Sequence, residues 1–268
     1  MKLNKKLALP LGTLLPLVIA APGTGFSASM QQQFSVSYDA QLTIDSKHAS
    51  NSGMSQSAID ALTGFMGGNV SVANVKDTVS FSRDSYQIQS IGTLGHVLGM
   101  FMPGSLQRTS VGWITDGTLN TIRYVDIRGS KAPLTTLVDE KSKTVFFYEG
   151  KNMTSRATFQ SKPQDVLSLS YAFIGNVPAH PVSVTLSDGK SIKQEVFDVQ
   201  RGSLSLPSGQ WQTVKLTRRI AATDDASVEC WLRASDGVPL RVRIGMSQRY
   251  GAILDLKATK VPAKVLPL

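Results

Sequence analysis

Few of the residues able to do chemistry stand at spacings that would let them act together. Gly189-Lys190-Ser191 has the ending of a phosphate-binding loop, in which backbone N–H groups and a lysine cradle phosphate oxygens. The first glycine of such a loop belongs at position 184, where the chain has Val184, and a strand is expected to follow where the motif needs a helix. Ser187 and Lys190 are three apart, as in serine–lysine acyl transfer, but that pair needs one helical turn and Asp188-Gly189 marks a tight hairpin instead. There is no G-x-S-x-G elbow and no H-E-x-x-H pair. His48, His96 and His180 lie far apart with no carboxylate at ligand spacing, so no metal site is expected. Asp139-Glu140 and Asp224-Asp225 are adjacent pairs in loop-like surroundings, and neighbours on a strand would point to opposite faces, so paired acid–base work is not indicated. Asn152-Met153-Thr154 fits a glycosylation sequon. Cys230 is the only cysteine; it allows no internal disulfide and, alternating with Val228 and Leu232, reads as a small buried hydrophobe. No enzyme and no cofactor are expected from this inventory.

The elements that would position any site are strands. Trp211 to Lys260 reads as a four-stranded antiparallel meander. Leu240, Val242, Ile244 and Met246 alternate with Arg241 and Arg243, while Ala252, Leu254, Leu256 and Ala258 alternate with Ile253, Asp255 and Lys257. Period two with one apolar face is what a half-buried strand requires. Asp236-Gly237 supplies the positive φ of a hairpin turn. Upstream, strands are expected near 34–44, 70–82, 85–91, 107–115, 120–128, 134–138, 144–148, 153–159, 182–186 and 192–199, with turns at Arg83-Asp84, Asp116-Gly117, Glu149-Gly150 and Asp188-Gly189. Two short helices are expected, over Ser55–Met66 and Gln164–Ile174, and residues 202–209 read as a connection.

Gly92 to Gly104 (GTLGHVLGMFMPG) breaks this pattern. It carries no charge unless His96 is protonated. Two readings are open: an apolar lip touching a lipid-like ligand, or a buried connection whose glycines permit close packing. On the first reading the candidate apolar contacts are Leu94, Val97, Leu98, Phe101 and Met102, with Trp113 nearby in sequence.

The chain of 268 residues opens with Lys2, Lys5 and Lys6, an uncharged run from Leu7 to Pro22, and small residues at Ser27, Ala28 and Ser29. That is the layout of a secretory signal over residues 1–29, so a periplasmic or otherwise exported domain over 30–268 is expected, with no lipid anchor at an N-terminal cysteine. Without those three lysines the formal charge of +9 becomes +6. The basic residues are scattered, with Lys215, Arg218 and Arg219 the densest group; this is a solvated surface, not a nucleic-acid groove, and is compatible with peripheral contact to anionic lipid head groups.

Several stretches resemble the exported bacterial family called domain of unknown function 3108: Ser85-Tyr86-Gln87-Ile88, Arg108 to Gly112, Gln164 to Ser168, Pro207-Ser208-Gly209 leading into Thr213 to Leu216, and Cys230-Trp231-Leu232 followed by Gly237 to Val242. The resemblance spans about Phe34 to Lys260 and lies in turns and strand patterns. It implies a cell-envelope location and a β-rich fold, and it implies no reaction and no catalytic residue. The expected architecture is mainly β: a single curved antiparallel sheet of about ten to twelve strands, closing toward a barrel or half-barrel, with the two helices and the 92–104 segment available to fill its concave face. The expected function is non-enzymatic binding of an apolar or lipid-like ligand or a lipidated partner. The alternative is an assembly factor that engages another envelope protein through an exposed strand edge, and a hydrolase comes third.

Overall fold

A computed structural model describes residues 32–44, 69–95, 106–220, 226–246 and 252–268. They form one mainly antiparallel sheet of fifteen strands, more than the ten to twelve expected. The strands are β1 (Gln32–Ile44), β2 (Asn69–Phe81), β3 (Ser85–Leu94), β4 (Leu106–Thr115), β5 (Thr118–Arg128), β6 (Leu134–Asp139), β7 (Thr144–Glu149) and β8 (Asn152–Thr158). After β9 (Gln164–Asp165) and a short helix α1 (Val166–Tyr171) come β10 (Val182–Ser187), β11 (Ile192–Leu206), β12 (Gly209–Arg218), β13 (Ala226–Arg233), β14 (Pro239–Met246) and β15 (Ala252–Lys260). The order across the sheet runs from β8 down to β1, then from β15 down to β9. Two meanders are therefore joined by the antiparallel pairing of the first strand with the last, and only β9 and β10 pair in parallel.

The alternation legible in the terminal meander sets its faces. Leu240 and Ala258 are fully buried, Val242, Ile244, Leu254 and Leu256 share their face, and Arg241, Arg243 and Lys257 stand on the other. Asp255 lies on that outer face yet is buried, because Arg241 Nε and Nη2 clasp its two oxygens at 2.8 and 2.6 Å and Lys257 stands 3.7 Å away. On the next strands Trp231 is held between the cations of Lys215 (4.8 Å) and Arg241 (4.7 Å). Asp116 and Gly117 both adopt positive φ, and Gly150, Gly189 and Gly237 do the same at three of the other expected turns, while Arg83-Asp84 turns without one.

Two expectations are corrected. β11 does not stop at Val199 but continues to Leu206 and pairs with β12 along its length, so 202–209 is a hairpin, not a connection. Its second half shows mostly exposed residues, which deprived the sequence of an apolar signal. The helix expected over Gln164–Ile174 is only six residues long. Gln164 and Asp165 pair with β10 first, Asp165 then caps α1, and turns follow from Ala172. The helix expected at Ser55–Met66 lies outside the described residues.

The sheet curls without completing a ladder. Its two ends are brought together by side chains and a few backbone bonds: Thr121 N donates to Pro163 O (3.2 Å), Gln164 Nε2 donates to Leu119 O (3.2 Å), and Ile192 packs against Val145, Phe147 and Phe159. α1 lies across the inner face, where Leu167, Tyr171 and Ile174 join Phe34, Phe81, Tyr86, Ile88, Leu119 and Tyr124 in the main core. Close approach at two glycines makes this fit. A Cβ on Gly112 would overlap Asn120 O and crowd the Tyr86 ring at 2.6 Å, and one on Gly237 would overlap Phe173 O, just beyond α1. At this end Arg233 and Asp236 form a buried ion pair that ties down the C-terminal segment: Arg233 Nη1 donates to Pro262 O (2.8 Å) and Val265 N donates to Asp236 Oδ2 (3.1 Å).

Candidate functional site

The inner face carries one apolar rung that can be followed across eight strands. Leu94 pairs with Ala73, Ala73 with Ala40, Ala40 with Leu256, Leu256 with Val242, Val242 with Cys230, Cys230 with Leu216, and Leu216 with Val199. Side chains at one parity of each strand make such a band continuous. Half of it is covered. Leu169, Phe173 and Val177, from α1 and the segment after it, pack with Leu216, Cys230, Val228 and Val242. Burial there pushes the Cys230 thiol up to about 12, so it is an inert core group.

The other half has no such cover among the described residues. Ala40, Val72 and Ala73 are buried, and Leu42, Val75, Leu94, Leu254 and Leu256 pack around them half-buried; all come from four neighbouring strands, β15, β1, β2 and β3. This half points toward the end of the sheet opposite α1. There the connections β1–β2, β3–β4, β12–β13 and β14–β15 leave the strands, each passing through residues outside the described set.

Between this half and the main core runs a polar layer. Tyr171 donates from its hydroxyl to Asp77 Oδ2 (2.7 Å), and its oxygen lies 3.3 Å from Tyr38 Oη, which donates to Pro239 O (3.0 Å). Asp77 is 7% exposed and its Oδ1 has no hydrogen-bond partner among the described residues. Across the register Asp77 faces Ser90, Ser90 faces Arg108, and Arg108 faces Asp126. Asp126 Oδ2 receives Arg128 Nε (2.9 Å) and Nη2 (2.5 Å). Nearer α1, Asp165 takes Ser110 Oγ (2.5 Å) and Thr121 Oγ1 (2.8 Å) on one oxygen and the N–H groups of Leu167 and Ser168 (2.9 Å each) on the other. These four donors make Asp165 an anchor for the helix, with no acceptor capacity left for catalysis.

Burial holds the Asp77 carboxyl above the ordinary carboxylate range, against the pull of Ser90, Tyr171 and the Arg108 charge. A carboxyl with a raised folded pKa binds more protons folded than unfolded, so its contribution is fully present below the unfolded pKa of about 3.9 and is lost as pH rises through the folded value. Asp77→Asn should therefore become more favourable relative to the parent as pH goes from about 4, the unfolded carboxylate range, to 8, because asparagine cannot ionise. Urea denaturation at the two pH values checks this; an identical stability difference at both would contradict the assignment.

The sequence-derived contacts are only partly brought together. Leu94 lies on the uncovered rung. Trp113 is 44% exposed and pairs with Ser85, seven register positions from the Gly92–Leu106 pair and at the opposite end of β3 and β4 from Leu94. Val97, Leu98, Phe101 and Met102 lie outside the described residues, as do His48 and His96. Lys190 sits in a hairpin turn beside Ser191, both held by Asp188 Oδ1, and not in a phosphate loop. Asp77, Arg108, Asp126 and Arg128 were not singled out from sequence. The available signal was a charge at the inward parity of a strand, as with Asp77 between Val75 and Val79.

The fold and this face define a class: a curled antiparallel sheet with a helix across one end of its inner face and an apolar inner band that the described residues cover only in part. No family model matches the chain, and no curated protein matches it either. No described helix is long and apolar enough to cross a membrane.

Proposed function

We propose that this is an exported cell-envelope protein that holds an apolar or lipid-like ligand, or the lipid of a lipidated partner, on the uncovered inner face, and that it catalyses no reaction. The observation that carries the reading is the contrast along one rung. The β11–β14 half is packed under α1 and its extension, whereas Leu42, Leu94 and Leu254 pack, among the described residues, only with the cluster on β15, β1, β2 and β3, and Val75 and Leu256 join that cluster to the main core. Contiguous apolar surface of this kind is ordinarily covered by a layer or by a ligand. The signal-like start and the resemblance to the exported family support the location. Extraction of protein purified from envelope material, followed by mass spectrometry of the extract, tests the reading; a stoichiometric amphiphile is the expected result.

A second reading has its own observation. β8 forms one end of the sheet, pairs with no strand beyond it among the described residues, and is exposed along Asn152 to Arg156 with Met153 at 55%, its Ser155 hydroxyl donating to Lys190 O (3.3 Å). Such an edge can accept a strand from another chain. A defined protein partner with no bound amphiphile would favour it.

A further inference from the structure

Arg108 and Arg128 stand on the inner face of β4 and β5, and one buried carboxylate serves them both. Arg128 Nη2 lies 2.5 Å and Arg108 Nε 3.6 Å from the same oxygen, Asp126 Oδ2. The Asp126 side chain is 2% exposed, while those of Arg108 and Arg128 are 42% and 49% exposed. Two guanidiniums thus share the one carboxylate of Asp126, and Asp77, the next carboxyl of this layer, stands two strands from Arg108. Arg108 makes no hydrogen bond among the described residues, although its planar fork carries five donors.

The register places this charge beside apolar surface. Arg128 faces Leu106, Leu106 faces Gly92, and Gly92 faces Val75; two residues past Gly92, Leu94 begins the uncovered rung. From the rise of a strand and the spacing between strands, about 14 Å separates the backbones of Arg108 and Leu94. The other groups facing Arg108 on this layer do not fill its donors: Ser90 is a neutral hydroxyl, the Tyr124 hydroxyl donates to Asp126, and Asp77 lies two strands away with its Oδ2 taken by Tyr171.

We propose, building on the function above, that Arg108 and Arg128 bind the carboxylate of a long-chain fatty acid whose hydrocarbon lies along the rung from Leu94 through Ala73 and Ala40 to Leu256. A carboxylate supplies the acceptor that the Arg108 fork lacks among the described residues, and its planar pair of oxygens matches that fork. The apolar chain would lie on the half of the band that no described residue of α1 or its extension covers.

Fluorescence titration of the delipidated mature chain at pH 8 with cis-parinaric acid and with its methyl ester tests the assignment. The acid is expected to bind about tenfold tighter than the ester, as one charge-assisted contact allows. Arg108→Gln should weaken the acid about tenfold and leave the ester unchanged. Asp126→Asn, which releases both guanidiniums, should strengthen the acid instead, a sign that a merely destabilised fold does not produce. Equal binding of acid and ester by the parent, or equal weakening of both by Arg108→Gln, overturns the head-group site and leaves the apolar site standing. Failure of both probes to bind overturns the proposed function and this inference with it.

Discussion

Asp165→Ala should cost about 3–5 kcal/mol, since a buried donor left without an acceptor costs about 1–3 kcal/mol and several are left at once. Four donors lose their acceptor at once: the hydroxyls of Ser110 and Thr121 and the backbone N–H groups of Leu167 and Ser168. Two of these are orphan donors at the start of α1, which by themselves contribute about 1 kcal/mol as a helix cap. The other two come from β4 and β5, so the same carboxylate fixes both the helix and its place on the sheet. Asp165 N also donates to Thr121 Oγ1 and Ser168 Oγ, which pins the hydroxyls in position. Asp165→Asn keeps one acceptor oxygen and should cost distinctly less. Chemical denaturation of the two variants decides; equal and small effects would mean that the plug is held by its apolar contacts alone.

Arg233→Met should cost a similar amount, about 3–5 kcal/mol, because it leaves Asp236 buried without its cation. The guanidinium binds Asp236 through Nε (2.7 Å) and Nη2 (2.6 Å), donates to Pro262 O, and lies 5.3 Å from the centre of the Trp211 ring. Methionine restores volume and none of these bonds. Removing Asp236 as well should not rescue the protein, since Val265 N and Val238 N would then lose their acceptor. Residues 261–268 should become the first site of proteolytic trimming in the variant. Urea denaturation measures the first effect and limited proteolysis with mass spectrometry the second; an intact C-terminus at full stability would remove the pair from its role.

Local chemistry made most of the sheet legible. Turn residues with positive φ, such as Asp116-Gly117 and Gly237, and the strict alternation of Leu240 to Ile244 and Leu254 to Ala258, specify strands and faces without reference to the rest of the chain. The second half of β11 was hidden because only Leu204 and Leu206, half-buried against the main core, mark an apolar side there, among Gly202, Ser203 and Ser205. Helix α1 was overextended because Phe173 and Ile174 continue the apolar spacing after the helix has ended in turns. The pairing of β1 with β15 lies more than 200 residues apart in sequence, and no local signal encodes it.

The site was less legible than the fold. Leu94 is the one sequence-derived contact placed on the uncovered rung, and it was chosen for its apolar neighbours, not for its partners across the sheet. Leu42, Leu254 and Leu256 read from sequence as ordinary core positions. Only the sheet order shows that they adjoin Leu94 while α1 lies elsewhere. Arg108 and Arg128 looked like surface charges, and their inward parity emerges only once the irregular step at Val111/Gly112 is placed.

On the proposed function, an amphiphile occupies the half of the inner band that the described residues leave uncovered. Organic extraction of the mature protein, purified from envelope material without detergent, with quantitative mass spectrometry of the extract, tests it most directly. A defined amphiphile on the order of one mole per mole of protein is expected, as a single apolar site holds. The amount should also fall sharply when Leu254 and Leu256 are replaced by asparagine in protein that remains folded. An extract with no more lipid than a control envelope protein, or a full complement of lipid in the folded double variant, would contradict the proposed function.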